Sequence, residues 1–167
     1  MRILLISLAL AAVIGPVAHA APAVAPSCAD PHAHELDFWL GDWEVHRWAD
    51  DKLTGHTRIS RIDGCVVREE WSGLQETGGS LNAYDPDAKI WRRLWAGLSA
   101  NVGAYTGRWT GGAVEFTGQG STKGKPVINR LRLTPLRDGS VRQQFDTSTD
   151  GAIWTPFIDA VYRRARP

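Results

Sequence analysis

The sequence predicts an all-β protein, an up-and-down antiparallel barrel of about ten strands preceded by a short helix or 3₁₀ turn. From residue 41 onward, strand-like runs alternate with turn signals at intervals of roughly 8–12 residues, and no helical pattern of useful length interrupts them. Asp-Gly and Gly-Gly pairs separate several of these runs, as tight hairpins require. The eight tryptophans supply large side chains that could fill or line a barrel interior.

Residues 1–20 have the pattern of a signal peptide. A basic start is followed by an apolar run over 3–13, and the Ala-His-Ala sequence at 18–20 fits a small-x-small cleavage site. The apolar run is shorter than the roughly 20 residues that a membrane-spanning helix needs. We therefore expect an exported protein, periplasmic or secreted, with no membrane segment in its mature form.

Residues 21–31 are rich in Pro and Ala and predict an extended linker, while 32–167 have the length of one domain. Once Arg2 leaves with the signal peptide, basic and acidic side chains balance at 18 each. This balance gives no electrostatic reason to expect binding to nucleic acid or to an anionic membrane. The sequence leaves the oligomeric state open.

The chain has two cysteines, Cys28 and Cys65. Export favours their oxidation, so we expect a disulfide that ties the N-terminal lead-in to the junction of two early strands. Their separation excludes the C-x-x-C spacing of a redox pair. Two separate buried thiols are the alternative.

Each element has its own local pattern. Leu36, Trp39 and Leu40 recur at helical spacing, so we expect a short helix or 3₁₀ turn over 32–40 whose Trp39 and Leu40 close the barrel floor. We predict a loop over 120–126. The ten predicted strands cover 43–48, 55–62, 65–71, 80–84, 90–96, 102–109, 114–118, 127–136, 141–148 and 153–164.

Several short motifs can be compared with known families. They are Leu-Asp-Phe-Trp-Leu-Gly-Asp-Trp-Glu-Val at 36–45, Gly-Cys at 64–65, Glu-Glu-Trp at 69–71, Ser-Leu-Asn-Ala-Tyr-Asp at 80–85, Trp91 with Trp95, Asn-Arg at 129–130 and Tyr-Arg-Arg at 162–164. Together they resemble an uncharacterised, mostly bacterial family of exported calycin-like barrel proteins. The resemblance spans nearly all of 36–164 and implies a fold but no activity.

Gly41 and Trp43 also resemble the first-strand signature of lipocalins. In those barrels a basic side chain of the last strand lies across the tryptophan. The resemblance implies that Arg164, or otherwise Arg163, covers Trp43 and closes one barrel end.

Strand alternation places aromatic and polar residues together on single faces, as a ligand cavity with apolar walls requires. The predicted lining residues are Glu69, Trp71, Asn82, Tyr84, Arg93, Trp95 and Gln143. We expect Trp71 and Trp95 to be stacking walls and Arg93 to be the polar anchor for a small, partly apolar ligand. A solid interior, with Arg93 and Glu69 as a structural pair, is the alternative.

No catalytic motif is found in the sequence, so we expect no catalytic residues, and we expect no cofactor. The leading hypothesis is a non-enzymatic binding barrel. The rival is a structural or protein-interaction domain in which Trp48 and Trp109 mark a docking patch. A haem-binding barrel or a weak enzyme comes third.

The histidines offer two further possibilities. His32 and His34 are two residues apart, but we interpret them as solvated side chains and expect no metal site. His46 or His56 would be the axial ligand if the barrel held haem.

Overall fold

The computed structural model describes residues 28–98 and 101–165, so the predicted signal peptide lies outside the described residues. Ten antiparallel strands form a closed barrel in which each strand pairs with its sequence neighbours and the last pairs with the first. The predicted fold class is thereby confirmed. The strands are β1 (Gly41–Arg47), β2 (Leu53–Ile62), β3 (Val66–Gly73), β4 (Thr77–Asp85), β5 (Ile90–Gly97), β6 (Val102–Thr110), β7 (Ala113–Thr122), β8 (Lys125–Pro135), β9 (Val141–Ser148) and β10 (Thr155–Arg164).

The predicted loop over 120–126 is wrong. β7 and β8 continue toward each other and are joined by a tight turn at Lys123 and Gly124, whose φ angles are 50° and 75°. Positive φ at both central residues is the geometry that matches the twist of a two-residue hairpin. This turn could not be predicted from the sequence, because a lysine rarely adopts a positive φ.

Two short 3₁₀ helices, Pro31–His34 and Asp37–Trp39, precede β1 and confirm the expected turn. The Asp30 carboxylate caps the first helix by accepting a hydrogen bond from the His32 backbone N–H at 2.9 Å. Leu36 and Trp39 are fully buried against the interior cluster of the barrel. We call the barrel end that these helices cover, where β1 begins and β10 ends, the closed end, and we call the other the open end.

The closed end is fastened by Trp43 and Arg164. The guanidinium carbon of Arg164 lies 3.9 Å from the centroid of the Trp43 indole. Arg164 also donates to the Leu40 carbonyl at 2.6 Å, and the Trp43 indole N–H donates to the Trp39 carbonyl at 2.8 Å. Gly41 makes room for this stack, because its φ is 133° and a Cβ there would lie 1.9 Å from Arg164 Nη1.

Arg163, the alternative candidate, does not cover Trp43. Its side chain is exposed and pairs with Asp51 in the turn after β1. The alternation of β10 explains the choice, since successive residues point to opposite faces.

The predicted disulfide between Cys28 and Cys65 is present, with 5.2 Å between the two Cα atoms. It links the lead-in to the turn between β2 and β3. The lead-in is therefore held at the closed end by a covalent bond as well as by packing. Among the described residues, no helix is long or apolar enough to cross a membrane.

Candidate functional site

The open half of the barrel contains a cavity of about 770 Å³ that opens to solvent at the open end. Ligand pockets in proteins usually have volumes of about 300–1,000 Å³. Five of the seven predicted lining residues line it, namely Glu69, Trp71, Arg93, Trp95 and Gln143. The same strand faces continue into the closed half, where they carry the packed core.

Glycines beside the aromatic residues keep the cavity open. The Trp71 indole lies against Gly55 and Gly73, so that a Cβ on either glycine would come within 2.7 Å of the ring. The missing side chains leave room for the ring to lie against the barrel wall.

The same arrangement recurs on the next strands. A Cβ on Gly78 would lie 2.9 Å from the Trp95 indole, and one on Gly97 would lie 3.4 Å from its nitrogen. A Cβ on Gly103 would lie 2.3 Å from the hydroxyl oxygen of Tyr105. Strands β3, β5 and β6 therefore each hold one aromatic ring against the wall.

The base of the cavity is a buried ion pair. The Arg93 Nη2 donates to Glu69 Oε2 at 2.8 Å, and their side chains are only 6% and 3% exposed. Arg93 Nη1 donates to Asn82 Oδ1 at 3.0 Å, and the Ser80 hydroxyl donates to Glu69 Oε2 at 2.8 Å. This arrangement corresponds to the structural pair that was the alternative to a ligand-clamping Arg93.

Two predicted lining residues do not line the cavity. Asn82 is completely buried beneath it and donates to the Val67 carbonyl at 3.0 Å. Tyr84 lies at the closed end, where its ring centroid is 5.7 Å from those of His32 and Trp91. Both residues lie on the inward face of β4, as predicted. However, β4 runs from the open end to the closed end, so its later residues lie nearer the closed end than the cavity does.

Tyr162 adds a hydroxyl group beside the ion pair. Its O–H donates to Gln143 Oε1, and both residues line the cavity. Burial raises the pKa of Tyr162 well above its usual value of 10.0, and the charge of Glu69 raises this pKa further while that of Arg93 lowers it. The phenol is therefore protonated at neutral pH and stays a hydrogen-bond donor.

Several lining residues were not predicted from the sequence. They are Glu76, Tyr105, Asn129, Leu131, Phe145, Thr147 and Phe157, with rim residues such as Leu74 and Ile158. Tyr105 had a usable signal, because Gly103 and Gly107 flank it on the same face of β6, and Trp71 and Trp95 are each followed two residues later by a glycine. Glu76 lies in the β3–β4 connection and had no such signal.

The histidines lie away from the cavity. His32 contacts Glu35 at 2.6 Å, and this bond raises the pKa of His32, while His34 contacts Asp37 at 3.0 Å. No group of three or more metal-ligating side chains occurs within residues 28–98 and 101–165.

The two histidines considered for haem lie on the outer face of the barrel. His46 donates a hydrogen bond from Nδ1 to the Asp51 carbonyl at 2.8 Å, and its Nε2 lies 3.4 Å from the Glu44 carboxylate. His56 is exposed. Their alternation partners Val45 and Thr57 point inward. Neither histidine reaches the cavity, as an axial ligand of enclosed haem would have to.

Trp48 and Trp109 do not form one docking patch. Trp48 follows β1 toward the open end and lies 4.1 Å from the Arg142 guanidinium. Trp109 lies at the closed end, 6.0 Å from the Phe38 ring. The two indoles belong to separate parts of the surface.

The fold and the cavity define the class of the molecule: a closed ten-stranded antiparallel barrel with an aromatic cavity in one half. Comparisons with models of known protein families and with curated proteins find no match. Any functional conclusion therefore rests on the geometry of the cavity.

Proposed function

We propose that the protein is an exported, non-enzymatic barrel that binds a small, partly apolar molecule in its interior. One observation carries this proposal: a cavity of about 770 Å³ whose lining combines aromatic and aliphatic side chains with polar and charged ones. Sites for small molecules commonly combine these two features. The apolar leader of the sequence and the Cys28–Cys65 disulfide support export.

The cavity is preformed, which favours binding over packing as its role. The aromatic walls rest on backbone glycines, and hydrogen bonds hold the base. A ligand that enters such a site orders few protein groups, so little of its interaction energy is lost to reorganisation.

The chemistry of the base suits a fixed binding group. Arg93 and Ser80 both donate hydrogen bonds to Glu69, which fixes the position of this carboxylate. The Tyr162 phenol is protonated at neutral pH and donates to Gln143. We find no nucleophile–base pair among these groups, and for this reason we prefer binding to catalysis.

A protein-interaction role is the second candidate, because the open end has an apolar rim. Leu74, Leu98, Ile153 and Phe157 are each more than 70% exposed around or beside the mouth. A partner that covered the rim would close the cavity. Light scattering would detect a stable dimer formed through these residues.

The decisive experiment is binding of the neutral fluorescent probe N-phenyl-1-naphthylamine. We expect saturable, single-site binding by the wild-type protein and its loss in Thr147→Trp, which places an indole in the cavity. The control is Gln144→Trp, whose side chain faces outward on the same strand. Absence of saturable binding by the wild type, or equal binding by both variants, would count against an internal site.

A further inference from the structure

The hydrogen-bonding groups of the cavity are unevenly satisfied. At Glu69 both hydrogen bonds fall on Oε2, and Oε1 accepts none from any described residue. Glu76 Oε1 is buried and has no hydrogen-bond partner in the described part of the chain. Of these two carboxylate oxygens, only Glu76 Oε1 is a buried acceptor without a partner. A buried acceptor without a partner costs free energy that a donating ligand would recover.

The charged residues of the lining differ in whether they have a partner. Arg93 is matched by Glu69 at the base, which leaves the Glu76 carboxylate to be neutralised. Two more cations, Arg47 and Lys52, line the rim, and Arg47 pairs with Asp50 at 2.9 Å. Asp159, the remaining charged lining residue, pairs with Arg142 at 2.7 Å. Within the described residues, Glu76 is the lining carboxylate without an ion pair and Lys52, at the rim, is the lining cation without one. The position of Glu76, and not the net charge of the lining, therefore favours a cationic group beside it.

The aromatic residues lie between these two carboxylates. Trp71, Trp95 and Tyr105 line the cavity and rest against glycines of its wall. The Arg93 guanidinium lies 5.9 Å from the centroid of the Trp95 ring, so the Trp71 and Tyr105 rings are the ones without a cation of the protein over them among the described residues. The carboxylate of Glu76 lies beside Trp95, since both would contact a Cβ placed on Gly97, at 2.4 and 3.4 Å. The face of an aromatic ring attracts cations, and a carboxylate next to it strengthens that attraction.

We propose that the ligand is an organic cation, an ammonium group carried on an aromatic or other apolar body. This inference rests on the proposed binding function and assigns its ligand class. The ammonium group would contact Glu76 and the ring faces, while the body would fill the space toward Phe145 and Leu131. A carboxylate ligand would meet the charges of Glu69 and Glu76, and Arg93 is already paired.

Three compounds with one skeleton test the ligand class: 2-phenylethylamine, 2-phenylethanol and 3-phenylpropanoate. Each would compete with bound N-phenyl-1-naphthylamine at pH 7. We expect the amine to bind about tenfold more tightly than the alcohol, and the carboxylate to bind most weakly. An alcohol or a carboxylate that competes as well as the amine would overturn the ligand class and leave the binding function intact. If neither the probe nor any of the three compounds binds, the binding function fails and this inference fails with it.

The variant Glu76→Gln tests whether the Glu76 carboxylate binds the ammonium group. It leaves the buried pair of Glu69 and Arg93 unchanged. We expect its affinity for 2-phenylethylamine to fall about tenfold while its affinity for 2-phenylethanol changes less than about twofold. Glu70→Gln is the matched control, because Glu70 is exposed on the outer face of β3 and undergoes the same charge change. An equal loss for both ligands, or no loss for the amine, would overturn the role of Glu76.

Discussion

The two halves of the barrel are built from the same ten strands, yet one is packed solid and the other is open. In the closed half, Trp43, Trp91 and Phe116 are buried side chains of the strands themselves. Leu36 and Trp39, which the lead-in segment inserts at the barrel end, are buried there as well. Inward-facing aromatic residues are found in both halves, so aromatic content alone does not decide whether a half is filled.

The halves differ in two respects: whether a segment outside the strands fills the barrel end, and whether glycines leave room beside the aromatic rings. No described loop of the open end places a large side chain as deep as the lead-in places Trp39. Glycines behind Trp71, Trp95 and Tyr105 let those rings lie along the wall. A cavity therefore results when strand faces contribute rings that lie flat and the connections stay short. The predictions below test this account, from the largest expected effect to the smallest.

The boundary between the halves is the Glu69–Arg93 pair, and breaking it should have the largest effect. Arg93→Met leaves a buried carboxylate without its partner, so we expect a loss of about 3–5 kcal/mol in the free energy of unfolding. The double variant Glu69→Leu with Arg93→Met removes both charges and should regain most of that stability. Urea denaturation measures both. A single variant that loses less than about 1 kcal/mol would mean that water reaches the pair and screens it.

Gly103→Ala should affect the open half alone. The new Cβ would lie 2.3 Å from the Tyr105 hydroxyl oxygen and 2.6 Å from two of its ring carbons, so the Tyr105 side chain has to move. We expect a cost of about 1–2 kcal/mol in stability together with weaker binding of N-phenyl-1-naphthylamine. Ala104→Ser, on the outer face of the same strand, is the control. Unchanged probe affinity in Gly103→Ala would show that the glycine does not set the size of the cavity.

The sequence was sufficient for the fold class because most local signals agreed with one another, although the turn at Lys123 and Gly124 was missed. Alternation and turn residues predicted ten strands, and Gly41 with Trp43 indicated which end is closed. Alternation also grouped Glu69, Trp71, Arg93 and Trp95 correctly. It could not place Asn82 and Tyr84, because their height in the barrel depends on the register and direction of β4. Nor could it predict Glu76, since a side chain in a connection follows no period.

Tyr162 provides a pH test at the junction of the two halves. At neutral pH we expect Tyr162→Phe to lose about 1 kcal/mol, since Gln143 loses its donor. The folded pKa of Tyr162 is raised above its unfolded value of about 10, so the contribution is fully present below about pH 10 and is lost as the pH rises toward the folded pKa. The deficit of the variant should therefore shrink in alkali. Urea midpoints at pH 7 and above pH 10 measure this, and a constant deficit would contradict the buried phenol.

The smallest effect on stability should come from replacing Arg164, whose guanidinium stacks on Trp43 at the closed end. Arg164→Met removes the cation above the indole, so we expect a loss of about 0.5–1 kcal/mol. Arg164→Lys keeps the charge but not the planar group, and it should recover only part of the loss. Arg163→Met is the control, because Arg163 makes an exposed pair with Asp51. Probe binding should be unchanged in all three variants, since the packed half separates this end from the cavity. A change in probe affinity in Arg164→Met alone would show that the two halves are coupled, and that the packing around Trp43 helps to shape the open half.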